Sequence, residues 1–114
     1  MNRPTRFYSN LQEKAVAKAT QGKQVPNSGA GKFVKGDVLL DKWLIECKTA
    51  TSEKQAFSIK QSWLEKNKAE AYEMKKNYNA LCFDFGPKTD RYYIVDEKIF
   101  QLVLSLIGKE EENG

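Results

Sequence analysis

Gly36-Asp37-Val38-Leu39-Leu40-Asp41-Lys42-Trp43-Leu44-Ile45-Glu46-Cys47-Lys48 is the stretch that decides the reading of this chain. Two short apolar runs flank Asp41-Lys42, as in a β-hairpin with a two-residue connection. Apolar residues fill successive positions rather than alternate ones, so both strand faces are buried and the hairpin lies inside a sheet. Three charged residues interrupt it: Asp37, Glu46 and Lys48. Side chains repeat every two residues along a strand, so Glu46 and Lys48 share a face. With Leu40 paired to Trp43 across the turn, Asp37 falls opposite Glu46, their Cβ atoms about 4.5–5.5 Å apart. Carboxylates so placed repel, and burying them is costly without a compensating cation. Lys48 supplies one positive charge and a divalent ion the rest. Oxygen donors without histidine favour Mg²⁺, with Mn²⁺ as a substitute, over zinc.

Outward from the hairpin, the pattern predicts alternating elements. Ser9 and Gln12 have the spacing of a capping box, opening a helix in which Leu11, Ala15 and Ala19 recur on one side until Gly22 stops it. From Gly22 to Lys35 the composition is that of a loop, with Pro26, Asn27, Ser28, Gly29 and Gly31 and a cationic excess. Gly29-Ala30-Gly31-Lys32 is not a phosphate-binding P-loop, because Phe33 stands where Ser or Thr is needed and no helix follows. After the hairpin, a long helix is expected from about Ser58 to Asn77, with Ile59, Trp63, Met74 and Tyr78 on its apolar side. Lys66, Asn67 and Glu70 fall in or beside that stripe, either as snorkelling edge residues or as groups supporting the site. Strands follow at 79–85 and 91–95, then a helix from Glu97 to Ile107, capped by Asp96 and stopped by Gly108. The order α-β-β-(β)-α-β-β-α indicates an α/β protein in which one mixed sheet is flanked by helices.

The whole chain has 114 residues, 40% hydrophobic and 30% charged, which suits a single domain over 1–114 with flexible ends at 1–7 and 108–114. It has no histidine. That excludes Ser-His-Asp and Cys-His triads and histidine-ligated zinc, and leaves carboxylates, lysines and a hard metal ion for any catalysis. Cys47 and Cys82 are too few for a disulfide framework and read as small buried residues in a reducing compartment. No signal-peptide pattern opens the chain, and no apolar run reaches the roughly twenty residues of a membrane span. A soluble, cytoplasmic protein is expected. The net charge of +4 suits a polyanion. Arg3, Arg6, Lys14, Lys18, Lys23, Lys32 and Lys35 gather in the first third, as a DNA-binding, phosphate-tracking surface would.

Gly36-Asp37, eight residues, then Glu46-Cys47-Lys48 resembles the signature of the PD-(D/E)xK nuclease superfamily, with Gly36 where proline is frequent. Glu13 in the first helix and Asn27-Ser28-Gly29 before the aspartate resemble, more narrowly, the archaeal- and phage-type Holliday-junction resolvases. The resemblance spans about Tyr8 to Val95. It implies a restriction-endonuclease-like core and a Mg²⁺-dependent endodeoxyribonuclease that cuts four-way DNA junctions as a homodimer. By the same resemblance Asp37, Glu46 and the Cys47 carbonyl hold the metal, Glu13 completes the site, Lys48 acts on the attacking water and the phosphorane, and Ser28 touches a phosphate near the cut. A nicking, repair or restriction endonuclease on the same site, and a non-catalytic DNA-binding protein of the same fold, are the alternative readings.

Overall fold

The computed structural model of the chain describes residues 5–25 and 37–113. The described residues form three helices and five strands, in the order α1 (Thr5–Thr20), β1 (Lys23–Gln24), β2 (Asp37–Leu39), β3 (Trp43–Lys48), α2 (Gln61–Glu73), β4 (Tyr78–Asp84), β5 (Arg91–Ile94) and α3 (Glu97–Asn113). The strands form one mixed sheet in the order β1-β2-β3-β4-β5. β3 and β4 run parallel and every other pair is antiparallel. The parallel pair requires a crossover, and α2 is the helix that makes it.

The hairpin has the expected register. Leu40 N–H donates to the Trp43 carbonyl (3.0 Å), and Asp37, Val38 and Leu39 pair with Glu46, Ile45 and Leu44. Alternation then sorts the side chains. Val38, Ile45, Ala80 and Cys82 meet Val16 of α1 in a buried core. On the opposite face of β3, α2 is fastened by Asn67, whose amide donates to the Leu44 carbonyl (3.5 Å) and accepts from Asn79 (2.8 Å). The hairpin turn is tied to the connection between α2 and β4 as well: Lys76 Nζ donates to the carbonyls of Leu40 (2.7 Å) and Asp41 (3.1 Å).

Several expectations change. The optional third strand is β1, ahead of the hairpin within the stretch read as loop, where Lys23 and Gln24 pair with Leu39 and Val38. No strand lies between β3 and α2. Helix α1 starts at Thr5, so Ser9 is not its cap and Gln12 closes no capping box. The side of α1 turned to the sheet is that of Gln12, Glu13 and Val16, while Leu11 and Ala19 are exposed. The polar pair is tolerated there because Gln12 Nε2 has two sheet partners, the Lys48 carbonyl and Asp84 Oδ2. Helix α2 is shorter than expected, leaving Ile59 before it and placing Tyr78 in β4. Gly108 does not stop α3, which runs on to Asn113 through the stretch expected to be a flexible end.

Gly22 ends α1 for a different reason from the one its type suggests. Gln21 takes the left-handed conformation (φ 60°) and the Gly22 N–H closes back on the Ala17 carbonyl (2.9 Å), the 6→1 bond of a Schellman motif. Glycine is needed at 22 because β2 passes so close. A Cβ there would meet Val38 Cγ1 at 2.7 Å and the Leu39 carbonyl oxygen at 2.9 Å. Gly22→Ala is expected to lower the denaturant midpoint by an amount worth about 1–3 kcal/mol, as overpacking does, at unchanged slope. Equilibrium denaturation checks this, and an unshifted midpoint would contradict the close packing.

Candidate metal centre

Asp37 and Glu46 are register partners across β2 and β3 and are 2% and 4% exposed. The pairing follows from a two-residue turn counted back along both strands. Asp37 and Glu46 alternate along their strands with Val38 and Ile45 of the α1 face, so both project from the face on which α2 packs, and both are buried. Each keeps one oxygen without a hydrogen bond: Asp37 Oδ1 and Glu46 Oε2. Burial, then the neighbouring Glu46 charge, pushes the Asp37 carboxyl up to about 8 from its ordinary 3.8. Burial raises Glu46 too, opposed by the charges of Lys48 and Lys66.

Asp84 shows what a purely structural carboxylate looks like in the same fold. It is buried, and it accepts from Thr49 Oγ1 (2.6 Å), Gly86 N–H (3.0 Å) and Gln12 Nε2 (3.2 Å). Buried acids are normally satisfied in this way. Asp37 and Glu46 lack the donors that Asp84 has, and a cation is the group that answers two adjacent anionic oxygens. The oxygen donor set suits a hard divalent ion. Among the described residues, however, no three His, Cys, Asp or Glu side chains are arranged to hold a metal; the side chains supply a pair.

The other expected site residues divide. Lys48 shares the Glu46 face and holds its ammonium over the Trp63 ring, 4.5 Å from the centroid. Glu13 is buried on α1 and is the last of the charges acting on Asp37. The Cys47 side chain, one residue from Glu46, belongs to the face that packs on α1, and burial pushes its thiol well up. Any part Cys47 plays in coordination therefore falls to its carbonyl. Of the expected cationic surface, Lys14, Lys18 and Lys23 are exposed, the first two one turn apart on α1. Ser28, Lys32, Lys35 and Arg3 lie outside the described residues, as does the side chain of Arg6.

Two groups on α2 join the site more closely than the sequence predicted. Lys66 and Glu70 form an ion pair (3.7 Å), and their charges act on both Asp37 and Glu46. Burial raises Glu70 as well. Their one-turn spacing beside the apolar stripe was the signal available. Asn67, between them and equally placed by the pattern, is a strut to the strands instead. An aromatic wall also borders Lys48: Phe57 contacts Trp63 and stacks on Phe83, which stacks on Tyr92. The chain matches no protein-family model, no curated protein and no solved structure.

The Asp37 proton leaves near 3.8 in the unfolded chain and near 8 in the fold. Without divalent ions, the folded state binds the extra proton between those values, so stability falls as pH rises from about 4 to about 8. Asp37→Asn removes the titration. It is expected to flatten that slope and to raise the melting temperature at pH 8 in chelator-treated buffer. Thermal scans across pH check this; a variant less stable than wild type at pH 8 would contradict it.

Proposed function

We propose that this chain is a divalent-metal-dependent endodeoxyribonuclease of the PD-(D/E)xK kind, acting on four-way DNA junctions. The observation that carries the reading is the buried Asp37–Glu46 pair, each with an unpartnered oxygen, followed by Lys48 on the same strand face. The spacing that resembles the family signature thus coincides with a geometry that favours a cation. The mixed five-stranded sheet with its β3-α2-β4 crossover is compatible with the core that the resemblance implies.

Asp37 and Glu46 would hold Mg²⁺ through their open oxygens, with the Cys47 carbonyl and Glu13 as the further donors the resemblance suggests. A bound Mg²⁺ polarises the scissile phosphate and makes a coordinated water acidic. Ionising Asp37 is a condition of that binding, so the aspartate loses its proton as the cation arrives. Lys48 keeps its ammonium beside the pair, where it orients the attacking water and stabilises charge building on the phosphoryl oxygens. Trp63 limits where that ammonium can go, through a cation–π contact. Lys14 and Lys18 of α1 offer phosphate contacts that do not depend on base sequence. With so few elements available for base readout, DNA shape is left as the main discriminator, which suits a branched substrate. A four-way junction has two-fold symmetry and needs paired cuts, so the active species would be a homodimer.

Incubating a labelled four-way junction with the protein, with and without Mg²⁺, tests this. Cleavage that needs the metal and exceeds that of linear duplex of the same sequence is expected. Asp37→Asn and Glu46→Gln are expected to abolish cutting while junction binding persists, and Lys48→Ala to slow cutting by about 10²–10⁴-fold, as loss of an acid–base or charge-stabilising group does. Full cutting by either carboxylate variant would refute the metal assignment. Equal cutting of junction and duplex would point to a nicking or repair endonuclease instead.

A further inference from the structure

The sheet face that holds the two carboxylates continues beyond them as a row of aromatic rings. Lys48, Phe83 and Tyr92 are successive register partners on β3, β4 and β5, so all three project from that face. Phe57 stacks on Phe83 (centroids 5.4 Å apart) and Phe83 on Tyr92 (5.7 Å), while Phe85 meets the Tyr92 ring edge-on (5.9 Å). The row ends at the sheet edge, where Tyr92 is still 49% exposed. A ring held in place by two others and half open to solvent is a surface on which a further planar group can stack.

Tyr92 and Phe85 also line an open pocket of about 500 Å³, within the range of small-ligand sites. Backbone contacts fix its walls. The Lys54 N–H donates to the Phe85 carbonyl (2.8 Å). Gly86 (φ 127°) lets the chain at Ser52 and Glu53 lie against it, where a Cβ would meet the Ser52 carbonyl oxygen at 2.7 Å. The turn from β4 to β5 is closed by Thr89, whose hydroxyl accepts from the Phe85 N–H (3.0 Å) and donates to the Gly86 carbonyl (2.7 Å). Around the rings the lining is polar: Lys54, Lys88, Gln55, Glu53 and Asp90, all exposed.

This combination selects one kind of ligand. The aromatic floor takes the face of a planar ring. An amide and two carboxylates take an edge that bears an amino group, as Gln does with adenine and Asp or Glu with cytosine. The carboxylates repel a phosphate from their side of the pocket and leave it to the two lysines. A nucleotide has all three parts. A base inside a duplex does not fit, because its faces are covered by its neighbours until it leaves the stack. The separation from the carboxylates is also suitable: Tyr92 is two strands from Lys48, about 10 Å, or about three base steps.

We propose that this pocket receives an unpaired, amino-bearing base of the DNA strand that is cut, stacked on Tyr92 with its flanking phosphates at Lys54 and Lys88. The substrate is then a branched DNA with an unpaired nucleotide close to the scissile phosphate. The proposal rests on the nuclease reading, but its test reads binding with divalent ions withheld.

Fluorescence anisotropy in chelator compares two labelled four-way junctions, one fully paired and one carrying two unpaired adenines at the branch. The second is expected to bind about 5–150-fold tighter, the range that stacking one base supplies. Tyr92→Leu is expected to remove that margin and Tyr92→Phe to keep it. Tyr93→Leu, paired with Cys82 on the opposite sheet face, is expected to leave it unchanged. Lys88→Glu leaves the ring stack alone; it is expected to reduce the margin and to lower the salt slope by about one. Equal affinity of the wild type for the two junctions would overturn the proposal. So would a margin that survives Tyr92→Leu or Lys88→Glu, or one that Tyr93→Leu lowers as much. Adenosine monophosphate is expected to leave the junction bound even at millimolar concentration; displacement in the micromolar range would identify a free-nucleotide site and overturn the assignment to a strand. Preference for the unpaired adenines without Mg²⁺-dependent cutting would leave the pocket standing and remove the nuclease; cutting without that preference would do the reverse.

Discussion

Two carboxylates forced together away from water are the constraint around which this fold is arranged. Asp37 and Glu46 are direct cross-strand neighbours, and a one-residue slip of the hairpin would send one of them to the opposite face. Register is held against such a slip from several directions. Leu40 and Trp43 close the turn, Lys76 grips its carbonyls, and Tyr78 N–H reaches the Lys42 carbonyl (2.8 Å). The repulsion between the two acids thus persists in a scaffold that prevents its relief by movement. Protonation of Asp37 relieves it in one way, and a bound cation in another.

The surrounding polar groups fall into two kinds, and hydrogen bonding separates them. Gln12, Thr49 and Asp84 make a network that joins α1, the end of β3 and β4. Asn67 and Asn79 join α2 to the sheet. These groups are stiffeners, since their partners are protein atoms held in place by secondary structure. Asp37, Glu46, Lys48, Lys66 and Glu70 are the other kind: charges of both signs held near one another, with two oxygens open. A rigid frame around an electrostatically unbalanced centre is how preorganised sites hold charge ready for a ligand.

The hairpin and its carboxylate pairing were legible because they depend on the two-residue period and a short turn, both local properties. The paired strand positions 37 and 46 follow from counting alone. Other elements depend on partners distant in sequence. Gln12 reads as the closing residue of a capping box until the sheet supplies its partners, the Lys48 carbonyl and Asp84. β1 is two residues long and acquires strand geometry only from β2. Gly22 resembles a cap, but what fixes it is the approach of Val38. The length of α3 is hidden for a further reason: Gly108 reads as a stop, yet it lies inside a helix that continues to Asn113, with nothing within 4 Å of where its side chain would be. In the site, Lys66 and Glu70 were visible as a one-turn pair; which face they served required the crossover between β3 and β4.

The central claim, that Asp37 and Glu46 form a divalent-cation site, is tested most directly by calorimetric titration of Mn²⁺ into the protein at pH 7, repeated in buffers of different ionisation enthalpy. Because Asp37 must ionise to bind, saturable binding that releases about one proton per ion is expected, and Asp37→Asn is expected to lose it. Binding with no proton released, or equally strong binding by the asparagine variant, would contradict it.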